Sequence, residues 1–187
     1  MLTQSRALAL WRRWPTAVAI GTAALFMLGD GSDGRADRAD GFAEAMLVLQ
    51  LEYLILARLR RRGASWPVSA VVVVMLLALQ ALDVVSPAAV LVIASLAVMV
   101  WGALDGERHR RGMFGVQVLG AAGFGALALT GLSADPDLGV YLVAAGWFCH
   151  GAWDYVHLRL DTVVSRSYAE WCGVLDILIA AQLVLLP

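Results

Sequence analysis

Seven apolar segments, each near the roughly 20 residues an α-helix needs to cross about 30 Å of hydrocarbon, follow one another along the chain. They run from Trp14 to Leu28, Phe42 to Ala57, Pro67 to Val84, Pro87 to Leu104, Met113 to Ser133, Asp137 to Leu158 and Tyr168 to Leu186. A chain patterned in this way is expected to be an all-α integral membrane protein, a single transmembrane helical domain over residues 1–187 built as a seven-helix bundle. The first span is expected to reach back through Ala7 to Leu10 and to be retained, since no small-residue cleavage site follows the charged N-terminus. Composition points to lipid as the main solvent: 60% of residues are hydrophobic, where a soluble domain has roughly 45–50%. None of the prolines lies in the interior of a span, and Ser86-Pro87 and Asp135-Pro136 read as an N-cap followed by proline in the first turn.

Orientation follows from the arginines, which make up all 14 basic residues. Arg6, Arg12 and Arg13 precede span 1, Arg58 and Arg60 to Arg62 follow span 2, Arg108, Arg110 and Arg111 follow span 4, and Arg159 and Arg166 separate spans 6 and 7. These are alternate loops, and the positive-inside rule makes them cytoplasmic. The chain is therefore expected in the cell membrane with its N-terminus cytoplasmic and its C-terminus outside. Trp11, Trp14, Trp66, Trp101, Trp153 and Trp171 fall at the same ends, as interfacial anchors do.

Several functions are excluded by what is missing. Without a lysine the chain cannot hold retinal as a Schiff base, nor form a P-loop, whose lysine reaches the phosphates. The arginines form no extended basic face for nucleic acid. Cys149 and Cys172 sit in apolar segments without CxxC spacing and imply neither a disulfide framework nor a structural zinc site. The connection Gly29 to Gly41 alternates aspartates like a calcium loop but lacks the glutamate at the twelfth position, and reads as a solvated acidic loop. Gly115, Gly120, Gly123 and Gly125, with Ala121-x-x-x-Gly125 as a small-residue pair, predict close packing and a central place for span 5.

The chemistry-bearing stretch is span 6 and its exit, GWFCHGAWDYVHLRLD. At 100° per residue His150, Asp154, His157 and Asp161 form one stripe about 60° wide along a helix face. Counted from Arg159, His150 lies roughly 13 Å and Asp154 roughly 7 Å inside the interface. Glu52 in span 2 and Asp176 in span 7 reach similar depth, at about 9 and 12 Å, and Gln117 in span 5 joins them. Ionisable groups at this depth cost about 2.5–3.5 kcal/mol each on insertion scales, so they pair or line a cavity. One shared cytoplasm-facing cavity would account for all of them.

Three chemistries fit. His150, Asp154, His157 and Asp176 could ligate a metal, zinc or iron by donor type, and activate water for hydrolysis of a lipid. His150 with Asp154 or Asp176 could do metal-free acid–base work. The same groups could relay protons, and the stripe could equally be a polar seam between helices. The seven-span plan with a cytoplasm-facing His/Asp cluster is similar to the progestin/adipoQ-receptor and alkaline-ceramidase superfamily of membrane hydrolases. That superfamily has a Ser with a His four residues on in an early span and a late His-x-x-x-His; here the early spans hold no His and the late pair is His150-x-x-x-Asp154. With His109, His150 and His157 as its histidines, the chain also lacks the eight-histidine pattern of di-iron desaturases.

The expectation is thus a membrane-embedded enzyme with a cytoplasm-facing site acting on a lipid or isoprenoid, its catalytic residues His150, Asp154, Asp176 and Glu52, with Cys172 a further candidate. The alternative is a non-enzymatic accessory subunit or a small proton-coupled transporter.

Overall fold

The computed structural model describes residues 13–28, 34–104 and 111–185. The readings placed on Trp11, Arg6, Arg12, Asp30, Asp33, Arg108, His109, Arg110 and the stretch Ala7 to Leu10 lie outside the described residues. Among the described residues there are seven α-helices and no strand: α1 Trp14–Leu28, α2 Arg35–Leu59, α3 Ser65–Leu82, α4 Pro87–Leu104, α5 Arg111–Ser133, α6 Pro136–Leu160 and α7 Arg166–Leu185. A single 3-10 turn, Arg62–Ala64, leads into α3.

Among the described residues, four helices are long and apolar enough to cross a membrane: Arg62–Leu82, Pro87–Leu104, Gly112–Ser133 and Arg166–Leu185. α1 is apolar but shorter, over Trp14–Met27. α2 and α6 are long, at 25 residues each, yet dilute their apolar character with Arg, Asp, Glu and His. The physical reason is their place in the bundle. Every residue from Met46 to Leu54 of α2 is buried, so the helix is enclosed on all sides and its polar groups face protein. α4 is the opposite case: Leu91 is its one buried residue, and Ile93, Leu96, Val100 and Leu104 stand exposed. A polar interior inside an apolar exterior is the arrangement suited to lipid as solvent.

The acidic connection is shorter than the sequence pattern implied. Gly34 is the N-cap of α2, and the repeat Arg35-Ala36-Asp37-Arg38-Ala39-Asp40 is helical. Ala and Arg favour the helix, and Asp37 in the first turn complements its positive end. A loop reading was drawn by the glycines, but Gly41 lies inside the helix.

Consecutive helices run antiparallel, fixed by contacts at both ends. At one end Arg62 pairs with Asp161 at 2.6 Å, the Ser165 N–H donates to Ser65 Oγ at 2.9 Å, and Trp66 Nε1 donates to Ser167 at 3.1 Å. At the other, Arg35 Nε donates to the Leu183 carbonyl (2.9 Å), Gln182 to that of Ala23 (3.0 Å) and Gln80 to Glu44 (2.9 Å). The central element is α2, which packs on α3, α4, α5 and α6, and not α5 as the glycines suggested. The Ala121-x-x-x-Gly125 pair serves this contact directly. With its amide oriented to satisfy both groups, Gln50 of α2 donates to the Ala121 carbonyl at 2.8 Å and accepts from the Gly125 N–H at 3.2 Å. Small residues there let a polar side chain reach the backbone of the next helix.

α6 and α7 form the most extensive helix pair, and two glycines allow it. A Cβ on Gly151 would lie 3.2 Å from the Gly173 carbonyl oxygen, and one on Gly173 would lie 3.2 Å from Asp154 Cβ. This approach brings the polar faces of α6 and α7 together.

Candidate functional site

α6 contributes His150 and Asp154, one turn apart, and α7 contributes Asp176. All three are buried, at no more than 1% exposed. His150 Nδ1 lies 2.7 Å from Asp176 Oδ2 and 3.3 Å from Asp154 Oδ2. A nitrogen carries one N–H, so it makes one good hydrogen bond, to Asp176. The other oxygen of Asp154, Oδ1, accepts from the Tyr53 hydroxyl of α2. Asp154 Oδ2 and Asp176 Oδ1 then have no hydrogen-bond donor, although both are sealed from solvent. The imidazole is held edge-on between Tyr53 and Phe124, with ring centroids at 5.5 and 5.1 Å. One ligand atom from each of His150, Asp154 and Asp176 lies within 4.8 Å of the others, a spacing from which a metal ion could be held.

The remaining candidates go elsewhere. The spacing of His157 puts it on the same face of α6, but its Nδ1 donates to the Trp153 carbonyl and its Nε2 accepts from Gln117, both at 2.9 Å. Its two nitrogens are therefore in use, and it is not among the three residues whose ligand atoms converge. Asp161 is the C-cap of α6 in the left-handed region and pairs with Arg62. Glu52 turns away from the His150 group: its Oε2 accepts from the Tyr168 hydroxyl, which is 3.3 Å from Ser69 Oγ. Its Oε1 is buried without a partner. One cavity holding every polar group was expected, and the structure divides them in two. The reason is helical geometry, since Glu52 and Tyr53 project about 100° apart on α2; Tyr53 meets α6, and Glu52 meets α3 and α7.

Tyr168, Cys172 and Asp176 stand at i, i+4 and i+8 on α7 and are fully buried. This stripe joins the Glu52 pair at its start to the His150 group at its end, with the Cys172 thiol between them. Tyr53, Tyr168 and Ser69 were not singled out from sequence. The signal for Tyr168 was its four-residue spacing from Cys172 and Asp176, obscured by its position at the border of an apolar segment.

A buried carboxylate that loses a donor retains its desolvation penalty, about 1–3 kcal/mol. Tyr53→Phe is therefore expected to lower stability by that amount in a mixed-micelle unfolding titration, while Tyr155→Phe on the exposed face of α6 stays within about 0.5 kcal/mol. Equal effects would remove the Tyr53–Asp154 bond from this description. No protein-family model, no curated protein and no solved structure matches the chain.

Proposed function

We propose that this protein is a membrane-embedded, metal-dependent enzyme acting on a lipid or isoprenoid substrate, with His150, Asp154 and Asp176 as the metal ligands and Glu52 at the substrate. The observation that carries the reading is the pair of donorless carboxylate oxygens beside His150 in a sealed core. Two ionised carboxylates facing one imidazole leave a net negative charge even when the histidine is protonated. A divalent cation with a neutral histidine balances the group and occupies both idle oxygens. One imidazole and two carboxylates suit zinc or iron, which would supply a nucleophilic water for hydrolysis. Catalytic metal sites keep an open position, and the three side chains that would hold the ion leave one free for water.

A second reading has its own support. Complete burial and the 2.7 Å contact between His150 and Asp176 also suit a metal-free proton relay in a small carrier. Metal analysis of the purified protein separates the two. The enzyme reading predicts about one zinc or iron per chain, reduced at least tenfold by His150→Ala and by Asp176→Ala. Stoichiometric metal absent from the wild-type protein overturns it and leaves the relay, which predicts pH-gradient-driven flux in liposomes that Asp154→Asn abolishes.

The reading includes seven spans with the N-terminus in the cytoplasm. Support comes from the arginine-rich end of the bundle, where Arg58 to Arg62 and Arg159 to Arg166 meet, and from the antiparallel order of all seven helices. In a background with Cys149 and Cys172 replaced by Ser, a membrane-impermeant thiol reagent is expected to label Asp83→Cys in intact cells and Arg62→Cys only after lysis. The reverse pattern inverts the topology and puts the site on the outer side.

A further inference from the structure

Between α1 and α3 the bundle opens into a groove of about 490 Å³. Leu25 and Phe26 of α1 form one side, Val73 and Leu77 of α3 the other, and α2 and α7 supply the floor. At one end Tyr168 and Trp171 line the groove, backed by Trp66 at 5.3 Å from each, with Trp14 tilted on Trp66 at 5.6 Å. Glu52, Ser69 and Tyr168 lie at that end, and Arg38 and Gln80 mark the other. Fourteen positions of α2 separate Arg38 from Glu52, a length of about 21 Å.

The lining between the two ends is almost wholly apolar, and two polar atoms of lining residues are buried without a hydrogen bond, Glu52 Oε1, an acceptor, and Trp171 Nε1, a donor. Oε2 already accepts from Tyr168, so the carboxylate acts there as an acceptor and Oε1 calls for a donor. We infer that the groove binds a single long-chain alcohol, its chain laid along α2 and its hydroxyl donating to Glu52 Oε1. An alkane would leave Oε1 unpaired, and a fatty acid would set a second carboxylate against Glu52. The inference rests on the reading of the protein as one that acts on lipids, and it names the class of lipid: an aliphatic or isoprenoid chain of about 20 Å ending in a hydroxyl.

The test uses the full chain in phosphatidylcholine nanodiscs, with radiolabelled hexadecanol as the probe and hexadecyl methyl ether, which cannot donate, as competitor. The wild-type protein is expected to hold the alcohol at least tenfold more tightly than the ether, the worth of one buried hydrogen bond. Glu52→Leu should bind both alike at the weaker affinity. Ala45→Phe, which fills the groove floor without touching Glu52, should weaken both. Equal competition by the ether in the wild type, a preference that survives Glu52→Leu, or alcohol binding unchanged by Ala45→Phe would each overturn the inference. Metal content is measured on the same samples. Loss of the alcohol preference with stoichiometric metal present sinks this inference alone; alcohol binding without metal sinks the metal-enzyme reading alone.

Discussion

Two carboxylates and an imidazole with no contact to water must compensate one another, and the packing of α2, α6 and α7 follows from that need. Asp154 and Asp176 come from different helices and both face Nδ1 of His150, at 3.3 and 2.7 Å, with the hydrogen bond going to Asp176. Bringing them within reach requires the α6 and α7 backbones to approach more closely than ordinary side chains allow, which Gly151 and Gly173 permit. Tyr53 then ties α2 to the same group by its hydroxyl. An aspartate would cost about 2.5–3.5 kcal/mol if left facing hydrocarbon, so α6 and α7, which carry these groups, face inward, with α2 and its Tyr53 beside them. α4, with no such group among its described residues, lies on the outside with its apolar side chains exposed.

The same inward demand explains α2. Gln50, Glu52 and Tyr53 are consecutive or nearly so, yet each finds a partner on a different helix: the backbone of α5, the hydroxyl of Tyr168 on α7, and Asp154 on α6. A helix enclosed on all sides can direct polar groups all round, which is why its sequence is less apolar than that of a helix facing lipid. The two carboxylate sites are consequently separate but adjacent, linked by Glu52-Tyr53 on one side and by Tyr168, Cys172 and Asp176 on the other.

Much of this could be read from sequence. The seven helices fall where the apolar segments do, since proline and loop charge mark their borders, and the four-residue spacing of His150 and Asp154 put them on one face. What periodicity could not supply was azimuth. Counting residues from the interface places Glu52 and Asp176 at depths similar to His150, but depth does not say which way a side chain turns, and only Asp176 turns toward it. His157 shows the converse: it shares the face of His150, yet Gln117 and the Trp153 carbonyl already take both of its nitrogens. The span 5 glycines were visible as a packing signal, but their use by Gln50 depends on which helix lies beside them. The Gly- and Asp-rich segment before α2 misled because its composition matches a loop, while its Arg-Ala-Asp repeat is helical.

The central claim is that His150, Asp154 and Asp176 form a cation site rather than a self-contained polar seam. The most direct measurement is an anomalous-difference map from crystals of the protein, collected above and below the zinc and iron edges. The account predicts one peak at about 2.0–2.2 Å from the nitrogen of His150 and from an oxygen of each aspartate. A map with no peak there, and with Asp154 Oδ2 and Asp176 Oδ1 hydrogen-bonded to protein or ordered water, would contradict it.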